Sequence, residues 1–537
     1  MFLQKVLNPI DSLLIRHKYN GRVNPFIEFA KIKKNTPLPP ANKGNILIGS
    51  IRMFGVAHLF EGLLAYKYRL KGYKVYALMC GQELESCESK DLKLLSNLGC
   101  TACYSEQKLF CETFEIEPLY IRDYIDKKES SSIKNAANQL TINKMEYKSI
   151  DFSPEITSGL MRVLKTSNVK EEKHLDLLRK YAITCFKTYQ ATINILDKIK
   201  PIHTIMSHGV YSTWGSMIKA CNVLNYHSVV WGRGYVGTGN IMATHNNSYL
   251  FENTIDPISN YINRELSADQ EIKVLEYFRD KRSPTSKVDY VSYYKDQSIN
   301  QSIDIKEKLN IPKEKIVFGM FPNIPWDGQL FSASDFFKGI SVFVKSTISW
   351  VIVNPEIHLI IRAHPAEKHI RSLNQAETFK DILFGLFPSL PENVTFLDSN
   401  SNISSYQIEE HIQVALLYAG TIGLEFVVNK TPVIQTGMNF SSNKGFLFEP
   451  NSEEEYYIML DKFKKNELSV TKKMYDHVLK YAYYWVFEKH IPETLVKLEN
   501  ELEFNGFQFK SIDELNNNNV LNWFVSRIEK KQPFIYC

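Results

Sequence analysis

The sequence predicts an α/β protein made of two doubly wound domains and a helical C-terminal tail. Three observations carry that expectation. At 537 residues the chain is too long for one ordinary core, because single cores stop growing near roughly 250–300 residues. Two separate stretches alternate apolar runs of strand length with amphipathic helical patterns, as parallel sheets with helical crossovers do. Between them, residues 280–310 are poor in apolar side chains and rich in Ser, Lys, Asp and Gln, which is the composition of a linker. The expected division is a basic arm over 1–44, a first domain over 45–285, a linker over 286–312, a second domain over 313–455 and a helical tail over 456–537.

The first domain opens at Asn45-Ile-Leu-Ile-Gly-Ser-Ile, a short buried strand. An amphipathic helix follows from Ala57 to Leu70, and Tyr73 to Met79 reads as the next strand. Residues 157–200 form a helical region, in which Leu175, Leu178, Ala182, Cys185, Tyr189, Ile193 and Leu196 recur at helical spacing. A strand at His203–Ser207, a helix at Trp214–Leu224 and a strand at His227–Trp231 complete the pattern. The second domain repeats it, with strands at 315–320, 358–362, 394–398, 413–418 and 432–435, and helices at Ser334–Val353 and Gly423–Asn429. Consecutive units of this kind imply right-handed crossovers and a parallel sheet. Functional residues then belong at the carboxyl ends of the strands, with a ligand in the cleft between the domains.

Composition narrows the class further. The chain is 44% hydrophobic and 23% charged, which excludes a disordered or fibrous protein. A net charge of +5 is small for this length and implies no nucleic-acid partner. The excess sits in residues 1–44, which hold eight Lys and Arg against Asp11 and Glu28. Phe2, Leu3, Val6, Leu7, Ile10, Leu13, Leu14 and Ile15 are interspersed with these bases. Such an arm suits either packing on the first domain or peripheral contact with anionic lipid at the inner membrane. The sequence contains neither a signal-peptide core nor an apolar run long enough to span a bilayer, so a cytoplasmic location is expected. Cys80, Cys87, Cys100 and Cys103 are clustered as C-x6-C-x12-C-x2-C, a spacing that fits either a structural zinc site or four reduced thiols.

Six segments place chemistry at strand ends. Arg362-Ala-His364-Pro365-Ala-Glu367 follows a strand, and Pro365 fixes the turn. The Arg362 fork suits a phosphate, and His364 can donate to a phosphate oxygen or leaving group. Tyr418-Ala-Gly420-Thr421-Ile-Gly423-Leu-Glu425 opens a helix. There small residues admit an anion, Thr421 can cap the helix or bind phosphate, and Glu425 can accept from ribose hydroxyls. Gly437 to Phe446 adds Lys444. Phe321-Pro-Asn323-Ile-Pro-Trp326-Asp327 is a rigid turn that brings Asp327 towards the cleft. In the first domain Ser207-His208-Gly209-Val-Tyr211 and Trp231-Gly232-Arg233-Gly234-Tyr235 each follow a strand. Gly232-x-Gly234-x-x-Gly237 matches a dinucleotide fingerprint, but the residues after it make a poor helix, so nicotinamide binding is disfavoured.

The segments at 321–327, 362–367, 420–425 and 444–446, in that order, resemble the bacterial capsule polysaccharide biosynthesis family. That family includes Kdo transferases and related glycosyltransferases of the GT-B type, with two Rossmann-like domains. The resemblance is specific over 315–450 and looser through His208-Gly-Val-Tyr and Trp231-Gly-Arg-Gly-Tyr. It implies transfer of a sugar, Kdo or a related acid sugar from a CMP donor, onto a surface polysaccharide or lipopolysaccharide acceptor. A UDP-sugar donor and a non-catalytic nucleotide-binding or assembly protein of the same fold are the alternatives. The resemblance places Asn323, Arg362, His364, Gly420, Thr421, Glu425 and Lys444 around the donor nucleotide, and assigns the acceptor to the first domain. Relatives often carry Ser or Thr at the place of Gly420. His208 and Asp327 are both candidates for the base that activates the acceptor hydroxyl. Enzymes of this type need no metal or other cofactor for transfer. The expected partners are a nucleotide-sugar and a glycan or glycolipid.

Overall fold

A computed structural model of the chain describes residues 24–53, 55, 57–88, 96–167, 169–237, 239–248, 256–283, 304–326, 336–370, 376–499 and 503–536. Two compact α/β units are present, as expected. Unit 1 comprises 1–163, 169–249 and 490–536, and unit 2 comprises 164–168 and 250–489.

Unit 1 carries β1 (Asn45–Ile48), β2 (Lys74–Met79), β3 (Glu117–Tyr120), the two-residue pair β4 (Glu146–Tyr147) and β5 (Ile150–Asp151), β6 (His203–Ser207), β7 (Ser228–Arg233) and β8 (Ile241–His245). Its main sheet runs β3-β2-β1-β6-β7-β8. All neighbours in it are parallel except β7 and β8, which form an antiparallel pair. The glycines from Gly232 to Gly237 therefore lead into that antiparallel strand and open no helix. The chain winds outward from β1 to β3 and then returns to β6 on the other side of β1. The direction of winding thus reverses between β1 and β6.

Unit 2 carries β9 (Ile316–Met320), β10 (Ile357–Arg362), β11 (Val394–Leu397), β12 (Val414–Leu417) and β13 (Val433–Gln435). The sheet is wholly parallel, in the order β11-β10-β9-β12-β13, and winding reverses between β9 and β12. Its strands are apolar on both faces, as sheets covered by helices on both sides require. Phe318, Leu359, Ile361, Val414 and Leu416 are fully buried among the helices.

The stretch 456–537, expected as one helical tail, divides between the units. The helices Glu453–Lys464 and Lys472–Tyr483 belong to unit 2. The remainder joins unit 1 as an antiparallel hairpin, β14 (Val496–Glu499) with β15 (Glu503–Phe507), and two helices, Ile512–Asn516 and Asn519–Lys530. Leu521, Phe524, Val525 and Ile528 line one face of the last helix at helical spacing and join the core built on β1, β2 and β6. Among the described residues no helix is long and apolar enough to cross a membrane. Of the basic arm, 1–23 lies outside the described residues. The helix Pro25–Ile32, capped by the Asn24 side chain, packs Phe26 and Phe29 into the same core.

Candidate active site

The expected donor residues fall into two groups. In unit 2 the register aligns Met320 of β9 with Ile361 of β10 and with Leu416 of β12. Asn323 and His364 therefore each stand three residues past an aligned position, and Gly420 stands four past one. All three sit on one edge, at the point where winding reverses. In open α/β sheets that point is the ligand crevice.

His364 is half-buried, and its Nδ1 accepts from the Ala366 N–H at 3.2 Å. An accepting Nδ1 carries no proton, so the neutral ring holds its proton on Nε2. Asn323 donates through Nδ2 to the Ile324 carbonyl at 3.4 Å. Its Oδ1 is shut away from solvent with no hydrogen-bond partner. Thr421 precedes the helix Ile422–Val428, but its hydroxyl makes no cap bond and its side chain is exposed. A Cβ at Gly420 would meet the Phe321 carbonyl oxygen at 3.5 Å and Leu417 at 3.6 Å, both ordinary contacts.

The second group is taken up by the protein itself. Arg362 was expected to bind phosphate, but it is 1% exposed. Its Nε donates to Ile403 O at 2.9 Å, Nη1 to Ala363 O and Asp398 O, and Nη2 to Ser401 O. The guanidinium holds the 398–403 loop, so its fork is spent on carbonyls. Glu425 was expected to meet ribose. Instead it accepts from the Tyr406 hydroxyl at 2.7 Å and pairs with Lys281 at 3.1 Å. Lys444 is buried and donates to the Asp256 carbonyl. Burial pushes its ammonium down to about 8, and Tyr484 and Lys489 hold the Asp256 carboxylate beside it. Asp327 lies outside the described residues.

One cation near this edge had no signal in the sequence. Lys165, from the short 164–168 segment that belongs to unit 2, places its Nζ 3.7 Å from the centre of the Trp326 ring. Glu377 anchors that segment, accepting from the Ser167 N–H and hydroxyl at 2.6 and 2.7 Å. Nothing local to Lys165 relates it to a turn 160 residues on.

Unit 1 has an equivalent edge, where Ile48 of β1 aligns with Ile205 of β6. His208 stands three residues past Ile205, and Arg52 four past Ile48. The His208 backbone is left-handed, with φ +56°, and Tyr211 follows at +65°. Strain of this kind costs roughly 1–3 kcal/mol per residue and gathers at functional sites. A turn of π-helix, Tyr211–Gly215, comes next. The His208 ring stacks on Trp214, and the Arg52 guanidinium lies over the same indole at 4.3 Å. Burial, with Arg52, Arg162 and Arg233 nearby, pushes His208 down to about 3, so the ring is neutral at pH 7. Beneath this edge Glu61 is fully buried, and it accepts from the Ser50 hydroxyl at 2.7 Å and from Trp231 Nε1 at 3.0 Å. Burial pushes its carboxyl up to about 7.

The four clustered cysteines come from three segments of unit 1. Cys80 follows β2, Cys87 lies in a loop, and Cys100 and Cys103 are on the helix Ser96–Phe114. All four are free thiols. Among the described residues no three His, Cys, Asp or Glu side chains are gathered to hold a metal ion. Cys103 Sγ instead lies 3.3 Å from the Met53 N–H.

No family model matches the sequence, and no curated protein matches it. Solved structures do. Thermosulfurimonas dismutans KpsC, beta Kdo 2,4 transferase, is 11% identical, over 58% of this chain and 87% of that one, with a TM-score of 0.33. The same organism's KpsC, beta Kdo 2,7 transferase, is 10% identical over 54% and 80%, at 0.32. The S. aureus MnaA–UDP co-structure is 12% identical over 92% and 100%, at 0.27.

Proposed function

We propose that the chain is a GT-B glycosyltransferase that moves a sugar, Kdo or a related acid sugar on CMP, onto a surface polysaccharide or lipopolysaccharide acceptor. The observation that carries this reading is the edge where winding reverses in unit 2. There the orphaned Asn323 Oδ1, the His364 ring and the open Gly420-Thr421 turn share one level of the sheet. A buried acceptor without a partner costs roughly 1–3 kcal/mol, and a hydroxyl or amine of a nucleotide would satisfy it. When the glycosidic bond to phosphate breaks, negative charge gathers on the leaving phosphate. The proton on His364 Nε2 is the donor positioned to meet that charge. Asp327 and His208 are the candidates for the base that takes the acceptor hydroxyl's proton, and the burial that pushes His208 down to about 3 makes its ring a weak base.

Purified protein incubated with CMP-Kdo, CMP-sialate and UDP-sugars, with an acceptor glycan, tests this by released nucleotide. Release with one donor is expected. Neither binding nor release with any of them overturns the reading. Nucleotide binding without transfer is the second reading, and one observation favours it. Arg362 and Lys444 are engaged within the protein, which leaves the phosphate few charged partners. Saturable binding with no turnover supports it.

A further inference from the structure

Three histidines of unit 1 form a continuous hydrogen-bonded chain at the edge of the sheet opposite His208. His203 opens β6, His227 precedes β7, and His245 ends the antiparallel β8. His203 Nδ1 lies 2.9 Å from His227 Nδ1, His227 Nε2 lies 2.9 Å from His245 Nδ1, and His245 Nε2 lies 2.8 Å from the Gln532 carbonyl. The last link fixes the proton on every ring. A carbonyl only accepts, so His245 donates from Nε2 and its neutral Nδ1 must accept. His227 then donates from Nε2 and accepts at Nδ1, which leaves His203 to donate from Nδ1. The chain has one direction. A further proton on His227 or His245 can enter only at an Nδ1 that is already accepting, and it breaks a link.

The far end of this chain is the C-terminal segment. Gln532 follows the helix Asn519–Lys530, and Phe534 stacks on the His245 ring at 4.7 Å while packing against Phe524 at 4.9 Å. We propose that the chain is an acid-sensitive clasp, holding residues 519–536 on unit 1 while its rings are neutral and releasing them when His227 and His245 take up protons.

The charged groups that bear on the rings come from the C-terminal helix and its end. Lys531 opposes protonation of all three, and Glu529 favours it at His203. Glu529 is itself paired with Lys71 at 2.6 Å. Burial lowers all three imidazoles, His203 to about 4 and His227 to about 3. A group whose folded value is lowered contributes stability above its ordinary value, about 6.5 for histidine, and loses it as pH falls below that. The clasp is therefore closed at pH 7.5 and weakens progressively towards pH 4.

Hydrogen exchange of the full chain at pH 7.5 and 5.5, corrected for the intrinsic pH dependence of exchange, reads the opening of 519–536. His227, held down to about 3 while the clasp is closed, contributes roughly a tenfold increase in opening over this interval, and His245, which burial also lowers, adds to it. Peptides from the unit 2 helix Glu453–Lys464 should not share that increase. His227→Gln keeps an acceptor and a donor in the chain but cannot take up a proton. It should cut the increase by about tenfold, the share of His227. Equal protection of 519–536 at both pH values, or a full increase in His227→Gln, overturns the proposal. If that variant fails to fold, 15N spectra of the wild-type histidines decide. They should show His203 protonated on Nδ1 and His227 and His245 on Nε2, and any other pattern overturns it.

Discussion

The two edges where sheet winding reverses share a topology and differ in electrostatics. In unit 1, Arg52 and His208 sit over Trp214 with Arg162 and Arg233 near the histidine, above the buried Glu61. In unit 2 the cations Arg362 and Lys444 and the carboxylate of Glu425 have turned inward. Arg362 holds the 398–403 loop, and Glu425 is held by Tyr406 and Lys281. What remains at the unit 2 edge is an imidazole, an orphaned amide oxygen and an open turn, with Lys165 over Trp326 nearby. The same strand-end position thus leaves a side chain open at the edge or claims it for structure. The decision falls on whether a neighbouring loop already offers the side chain its hydrogen bonds.

Two substitutions separate those roles, and the largest effect belongs to His364. His364→Ala removes the imidazole from the unit 2 edge. Nucleotide release should fall by about 10²–10⁴-fold, the usual worth of a positioned proton donor, while the melting temperature stays close to wild type. An unchanged rate would take His364 out of the site. Arg362→Ala should do the reverse in kind. It strips a donor from the carbonyls of Ala363, Asp398, Ser401 and Ile403, of which Asp398 still accepts from the Ser401 N–H, and each buried acceptor left bare costs roughly 1–3 kcal/mol. A loss of ~3 kcal/mol or more is expected in denaturant melts, and lysine should not restore it, because a single ammonium cannot span four acceptors. A stable Arg362→Ala protein with weakened nucleotide binding would return Arg362 to the ligand.

Much of the frame was legible because it follows from local pattern. The helix Ala57–Leu70 and the strand His203–Ser207 have the bounds their periodicity predicts. The edge strand β3 was missed, since Pro118 within it argues against pairing on both sides. The hairpin β14–β15 was missed because its two short strands pair only with each other, inside a stretch whose flanks are helical. The helix expected from Ser334 begins at Ile340, and 327–335 lies outside the described residues. At the site, residues that directly follow a strand were placed by the strand itself, as Asn323, His364 and Gly420 were. The direction of Arg362 was not legible. It ends a strand, but the carbonyls that claim it lie up to 41 residues further along the chain. Arg52 and Lys165 were missed for the same reason, as their neighbours come from distant segments.

Glu61 sharpens the comparison from the unit 1 side. Its carboxyl is raised to about 7 from an ordinary 4.5. A group raised on folding contributes stability that is fully present below pH 4.5 and is lost as pH climbs through 7. The loss amounts to about 3 kcal/mol by pH 8. Glu61→Gln has no such titration and can still accept from Trp231. The gap in stability between wild type and Glu61→Gln should therefore shift in favour of the variant between pH 5 and 8, in paired urea melts. A constant gap would mean that the carboxyl does not change its charge over that range.

The smallest effect belongs to Gly420. Its backbone is not among the glycines with positive φ, so a side chain costs no left-handed strain there. The nearest atoms to an added Cβ stand at 3.5 Å or more, which is ordinary contact. Gly420→Ser should therefore leave stability within about 0.5 kcal/mol, the range of substitutions that disturb no core or hydrogen bond. Its new hydroxyl would stand at the unit 2 edge, beside Thr421 and level with Asn323 and His364. If that edge holds the donor phosphate, the serine adds a neutral hydrogen bond and tightens nucleotide binding severalfold, as about 0.5–1.5 kcal/mol per bond implies. If the phosphate is held elsewhere, titration with CMP or UDP gives the same affinity for both proteins.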